Sequence, residues 1–392
     1  GAFWSCGLTS VTIPAGVTDI GASVFYNCGH LTSVTIQPGV TSIGEEMFRG
    51  CNNLEGVTIP DSVNKIGREA FSCCYALSEI TIPDNVTEIG DMAFYCCPSL
   101  TSVTVPASVT TIGSQAFGYG EALTEILVDP DNPAYTSIDG VLYSKDLSVL
   151  MQYPIGKTEK SFAIPDGVKC IEDYAFWECA SLTQITIPDS VTSIGAEAFG
   201  NTGYYKEESN WTDGLLLIGN WLIDAKPDLS GDFVIPDGIT GIADGAFMFC
   251  NSLTSVTIPD GVTGIGTTTF QYCERLTYVT IPASVAGIGE SAFSFCPSLK
   301  DVYFGGTEEQ WNAVVIGEGN PFLLDATLHF ESTGPSANPF ADVTEENWFF
   351  QSVLWAVEKG ITKGTGEDTF SPTDTCTRAQ VVTFLWRAAG SP

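Results

Sequence analysis

Apolar and small polar residues alternate along this chain in short bursts, and the bursts recur. The stretch "LTSVTIPAGVTDIG" opens with Leu8, Val11 and Ile13, separated by Thr9, Ser10 and Thr12. Alternation around β-branched residues predicts a short strand with one face buried. Pro14 ends it, because proline cannot donate to a ladder. "VTDIG" predicts a second short extended piece closed by glycine. In a later unit, "REAFSCC" (Arg68 to Cys74) predicts one turn of helix or 3₁₀ that drives Phe71 inward.

The unit returns with a step of 23. Its Ile-Pro mark, or a close variant, begins at Ile13, Ile36, Ile59, Ile82 and Val105, then at Ile164 and Ile187, then at Ile235, Ile258 and Ile281. Phe25, Phe48, Phe71, Phe94, Phe117, Phe176, Phe199, Phe247, Phe270 and Phe293 keep the same beat. No unit can bury its apolar residues alone, so the units must stack into continuous ladders. About a dozen coils at ~4.8 Å predict a rod roughly 50–60 Å long.

Two breaks interrupt the beat, after Val105 and after Ile187. The first insertion (about 129–160) holds "GVLYS" and "SVLMQYP" around a turn. The second (about 201–232) holds "LLLIGNWLIDA", with Gly219-Asn220 between two apolar runs. Both predict β-hairpins. Asp129, Asp131 and Asn132 fit a turn and lack the glycine and glutamate of an EF-hand calcium loop. After the last full unit, "DVYFG" predicts one more coil, and "TEEQWNAVVI", with a Thr-x-x-Gln start, predicts a short capping helix. Residues 301–330 thus form an atypical cap. The polar segment 331–339 predicts a linker. The remainder, 340–392, predicts two amphipathic helices around a Gly-rich turn, the second opened by Thr377 and Gln380 and closed by Gly390.

The apolar positions of "LTSVTI" resemble a leucine-rich repeat. With the Ile-Pro, "VTSIG" and "AFxxCxxL" elements, residues 1–330 resemble the BspA-like leucine-rich repeat family of bacterial surface proteins. That resemblance implies a right-handed leucine-rich-repeat β-solenoid with short helical or 3₁₀ turns and two β-hairpin insertions. The C-terminal segment resembles an S-layer homology module through Phe340-x-Asp342, Trp348, Ala356-x-x-x-Gly360-Ile361, Gly364-Thr365-Gly366, Phe370-x-Pro372 and Thr377-Arg378-Ala379-Gln380. It implies a small α-helical hairpin module.

Such modules act in sets of three on secondary cell-wall polymers, and one copy is present. The resemblance implies polymer contact at Trp348, Gly364, Thr365, Gly366 and Arg378. The Arg378 fork suits a carboxylate. Gln380 stands where that family usually has Glu. Trp348, Trp355 and Trp386 also fit a plain helix-hairpin core.

Composition narrows the function classes. Charged residues are only 16%, with 15 basic against 47 acidic and a net charge of −32. That surface repels nucleic acid and anionic membranes. No run of 18 apolar residues predicts a membrane span. The chain opens inside a repeat unit, so an export signal is expected upstream and further wall-binding modules downstream.

Catalysis finds no foothold. His30 and His329 sit in unrelated settings, and no nucleotide, metalloprotease or nucleophile-elbow motif occurs. The Asp residues after Ile-Pro (Asp61, Asp84, Asp166, Asp189, Asp237, Asp260) are turn residues of each unit. We expect no enzyme, no catalytic or metal residue and no cofactor.

Binding is the more natural role. The outward strand positions form two columns, mostly small and polar. Within them Glu79, Thr81, Leu127, Tyr278, Thr280 and Tyr303 are the candidate ligand-binding residues. The family resemblance implies attachment to host matrix proteins, glycans or other bacteria. It also implies a secreted protein of the cell surface of a Gram-positive bacterium. A structural spacer, or S-layer-associated scaffold without a ligand, is the alternative.

Thirteen cysteines remain. Cys28, Cys51, Cys74, Cys97, Cys179, Cys250, Cys273, Cys296 and Cys6 share one slot, three residues after the repeat Phe. Stacked Cβ vectors stay ~4.8 Å apart, where a bridge needs about 3.5–4.5 Å. We expect free, buried thiols acting as apolar filler. So many free thiols fit an anaerobic niche. Cys73 and Cys96 lie one residue earlier and point elsewhere. They are the one pair where a bridge stays open, though it is not the favoured reading.

Overall fold

The computed structural model describes residues 1–332 without a break, then 334, 342–343, 353, 356–357, 361–365 and 369–372. The chain winds into a β-solenoid of about 14 turns. The strand predicted around each Ile-Pro forms the first ladder. Ser10–Ile13, Ser33–Ile36 and Gly56–Thr58 pair in parallel, Ser10 opposite Ser33 opposite Gly56. Toward the C-terminus Ser230–Val234, Ser252–Thr257, Tyr278–Ile281, Asp301–Phe304 and Thr327–Phe330 make one five-stranded sheet.

The second ladder is built from two-residue strands. Ser42–Ile43, Lys65–Ile66, Glu88–Ile89 and Thr111–Ile112 pair in sequence order. Gly264–Ile265, Gly287–Ile288 and Val315–Ile316 repeat the arrangement near the other end.

On the third side, where a helical turn is expected, each coil instead makes two successive tight turns. The Phe25 N–H donates to Met47 O in the next coil (3.0 Å), and Phe48 N–H to Ala70 O (2.8 Å). Residues two before and two after the Phe take left-handed φ, as at Glu69 (53°) and Cys73 (59°). That twist turns alternate N–H groups toward the neighbouring coil, so the backbone is satisfied between coils rather than along a helix.

The interior repeats with little change. Successive Phe rings stack at centroid distances of 5.0–5.8 Å, an offset geometry favoured by the ring quadrupole. Burying each ring contributes roughly 1.5–3 kcal/mol. Every described cysteine is free. Apart from half-buried Cys6, the column thiols are buried, and most donate to the Phe carbonyl of the preceding coil: Cys51 Sγ to Phe25 O (3.1 Å), Cys74 to Phe48 O (3.2 Å), Cys296 to Phe270 O (3.1 Å), while Cys179 donates to Tyr153 O and Cys250 to Lys226 O. The filler expected from sequence is therefore also a hydrogen-bonding column. Burial pushes the Cys51 and Cys97 thiols up to about 12.

Both insertions share one plan that exceeds a hairpin. In the first, Tyr135–Ile138, Val141–Ser144 and Val149–Gln152 run antiparallel, and the last pairs in parallel with Cys170–Ile171 of the second ladder. Tyr153 then takes the Phe slot and stacks on Phe176 at 5.3 Å. In the second, Trp211–Thr212, Leu215–Ile218 and Trp221–Ala225 repeat this, with Trp221 opposite Gly241. Gly219 takes the positive φ (63°) of the tight turn.

Asn132 shows why the "DPDN" stretch is a turn. Its buried side chain donates to Pro106 O and Val109 O and accepts from Ala134 and Tyr135 N–H.

The cap helix spans Glu308–Trp311, with Thr307 and Gln310 in a reciprocal capping box. Asn320 closes the turn ladder by accepting the Phe293 N–H (2.9 Å) and donating to Gly289 O (2.9 Å). Thr327–Phe330 adds a coil beyond the one read from sequence.

Candidate binding surfaces

The six expected sheet-face residues fall into two groups along the rod. Glu79 and Thr81 are exposed, on a stretch without strand pairing between two segments of the first ladder. Leu127 is 40% exposed on Glu125–Val128, where the ladder ends. There the first insertion meets it, and Ile126 N–H donates to Gly140 O.

Tyr278, Thr280 and Tyr303 lie together in the C-terminal sheet. Tyr278 is half-buried, but Thr280 and Tyr303 are buried, at 5% and 8% exposure. This corrects the expectation of an open face. After Phe330 the chain doubles back. Glu331 takes φ 52° and donates to Gly306 O, and Ser332 N–H donates to Phe304 O. A Cβ on Gly334 would stand 3.4 Å from Thr280 Oγ1. The start of the predicted linker is thus tied across the sheet.

Sequence spacing did not reveal what Tyr303 joins there. It stacks on His329 at 4.5 Å and meets Tyr278 edge-on at 5.6 Å. His329 Nε2 sits 2.8 Å from Asp301 Oδ1. His329 breaks the 23-residue step, so no repeat column pointed to it.

A second surface lies on the turn side of the coils. The left-handed slot two after the repeat Phe is buried in none of the coils. It holds Asn27, Gly50, Cys73, Cys96, Tyr119, Glu178 and Asn201, then Phe249, Tyr272 and Phe295. The last three rings stack on one another at 4.9 and 4.5 Å. Phe249 and Phe295 remain 47% and 52% exposed. Left-handed φ costs an L-residue roughly 1–2 kcal/mol, least for Gly or Asn. The fold imposes that φ in every coil, yet three successive coils carry aromatics there. Along the second ladder, Gly241, Gly264 and Gly287 line an open groove of about 730 Å³ that also takes in Trp221 and Val315, the latter 74% exposed.

In the C-terminal segment, the Asp342 carboxylate accepts the N–H groups of Phe370 and Ser371, both at 2.7 Å. Those donors hold it below the usual carboxylate range. Gly364 takes φ 80°, and Thr365 Oγ1 lies 2.6 Å from Ser371 Oγ. Gly364 and Thr365 therefore sit in a turn adjoining the loop that Asp342 pins. Trp348, Gly366 and Arg378 lie outside the described residues. Among the described residues no group of three or more His, Cys, Asp or Glu could hold a metal ion. None of the described helices is long and apolar enough to cross a membrane.

The family model for a BspA type leucine rich repeat region matches in six copies over residues 1–124, 156–221 and 228–314. The chain belongs to the BspA type leucine-rich repeat family. The S-layer homology domain model matches residues 339–382. Together these are the make-up of a cell-surface repeat protein held at the cell wall. S-layer homology domains bind secondary wall polymers, and leucine-rich repeats mediate protein interactions.

A leucine rich cell surface protein from Faecalibacterium prausnitzii is 35% identical, over 79% of this chain and 82% of that one, with a TM-score of 0.45. A leucine-rich repeat protein from Eubacterium ventriosum is 25% identical over 82% and 83%, at 0.51. The pneumococcal vaccine antigen PcpA shares the fold at 20% identity over 83% and 79%, also at 0.51. An endoglucanase from Bacillus sp. is 36% identical over 69 residues; the match spans 18% of this chain and 7% of that enzyme.

Proposed function

We propose that this chain is a non-catalytic recognition protein whose C-terminal coils hold a protein ligand, such as a host matrix protein. On this reading the solenoid (1–330) presents the ligand surface. The segment 331–339 connects it to the S-layer homology module (340–392), which holds the wall polymer together with further copies. The observation that carries the reading is the exposed Phe249–Tyr272–Phe295 ladder. Aromatic side chains concentrate binding energy at protein interfaces. These stack face to face and offer their edges, so a flat sugar ring finds few open faces while a protein surface can pack against them. The sheet-face residues Glu79, Thr81, Leu127, Tyr278, Thr280 and Tyr303 contribute less on this reading. Thr280 and Tyr303 act only when the Ser332–Gly334 segment lifts away.

The test is an array of matrix proteins and glycans probed with the full chain and with a Phe249→Asn, Tyr272→Asn, Phe295→Asn variant. The reading expects saturable binding to a protein, lost in the variant. Glycan-only binding, or equal binding by both chains, contradicts it. No saturable binding at all would favour the spacer, for which the uniform Thr column is the supporting observation.

A further inference from the structure

Cys73 and Cys96 occupy the left-handed slot in adjacent coils, each with φ 59°. Cys73 N–H donates to Tyr95 O and Cys96 N–H to Gly118 O, both at 2.8 Å. The two residues are therefore related by one stacking step. One coil step, ~4.8 Å, sets the scale of the separation between the two side chains. A disulfide needs sulfurs about 2.05 Å apart and Cβ atoms about 3.5–4.5 Å apart. An ion in line between two thiolates needs about 4.6 Å, twice a metal–thiolate bond of about 2.3 Å. The coil step exceeds what a disulfide spans and matches what a bridged ion spans.

Availability separates this pair from its neighbours. Cys74 and Cys97 are fully buried, and their S–H groups donate to Phe48 O and Phe71 O. Cys73 and Cys96 are half-buried. Ser72 Oγ lies 3.7 Å from Cys73 Sγ, and exposed Tyr75 borders the pair.

We propose that Cys73 and Cys96 form a two-thiolate site for a soft monovalent d¹⁰ cation, Cu(I) or Ag(I), bridged between coils. Thiolates select such ions over hard cations, which take oxygen ligands. Zinc wants four ligands and finds two. Binding forms two metal–sulfur bonds and releases the two thiol protons, with no change of oxidation state.

The experiment titrates the reduced full chain, under nitrogen, against Cu(I) held by bathocuproine disulfonate. Wild type should withdraw one equivalent that is absent from Cys73→Asn and from Cys96→Asn. Losing one of two ligands should weaken retention about 10²–10⁴-fold. Asn is native in this slot at Asn27 and Asn201, so both variants should keep the wild-type circular dichroism. Cys170→Ser, at a half-buried cysteine outside the pair, should still bind. X-ray absorption should count two sulfur neighbours. Uptake unchanged in either Asn variant, no uptake by wild type, or three or more sulfur neighbours would overturn the proposal. So would a Cys73–Cys96 disulfide forming readily in air.

Discussion

The coils before the first insertion and those after the second share one interior and differ on the same surface columns. At the second-ladder position the N-terminal coils carry Lys65 and Glu88, paired at 2.9 Å. The C-terminal coils carry Gly264 and Gly287 there, and a groove opens. In the left-handed slot the N-terminal coils use Asn27, Gly50, Cys73 and Cys96, and the C-terminal coils use three stacked aromatics. Ion pairs at the surface add little stability. The contrast therefore concerns what each region can touch, while the shared core holds the rod together.

The comparison breaks most sharply if the two cores are unequal. Phe71→Ala and Phe270→Ala each remove a buried, stacked ring and should each cost about 3–5 kcal/mol. Urea denaturation followed by circular dichroism reads this. A cost confined to one end would show that the two regions do not share one packing logic.

A smaller effect is expected at the thiol column. Cys74→Ala removes a buried sulfur and the hydrogen bond to Phe48 O, and should cost on the order of 1–2 kcal/mol. Cys273→Ala, with its bond to Phe247 O, should match it. Free-thiol titration of the native chain should find these columns slow and Cys73 and Cys96 fast.

Acid should favour the junction between the second insertion and the C-terminal coils. Burial pushes the Asp224 and Asp244 carboxyls up to about 6. A raised folded value means stability that is complete below the unfolded value and lost as pH rises through about 6. Thermal melts should therefore rise between pH 7.5 and pH 5, by on the order of 1 kcal/mol per group. Asp224→Asn should flatten that change, although Tyr205 Oη then loses a carboxylate partner.

Much of this was legible from the period alone. Ile, Val, Phe and Cys columns at a step of 23 fix the interior, because equal positions in stacked coils must meet. Thr307 and Gln310 announced the cap helix through their spacing. The paired left-handed turns around each Phe were not legible, because residues as different as Glu69, Cys73 and Phe249 adopt them under tertiary control. Nor was the burial of Thr280 and Tyr303, which depends on a chain reversal outside the repeat. The Phe249–Tyr272–Phe295 ladder was readable as three aromatics at the repeat step. It lies in the turn, off the alternating strand positions that mark a sheet face.

On the proposed function, the shared core carries the fold while the aromatic slot of the C-terminal coils carries recognition. The most direct measurement immobilises the wild-type chain, the Phe249→Asn, Tyr272→Asn, Phe295→Asn variant and a Glu79→Ala, Thr81→Ala variant. Each meets the same protein ligand by surface plasmon resonance. All three should melt within about 1 kcal/mol of one another per substituted surface site. Binding should vanish in the aromatic variant and persist in the Glu79/Thr81 variant. Binding retained by the aromatic variant, or lost only when Glu79 and Thr81 change, would contradict the account.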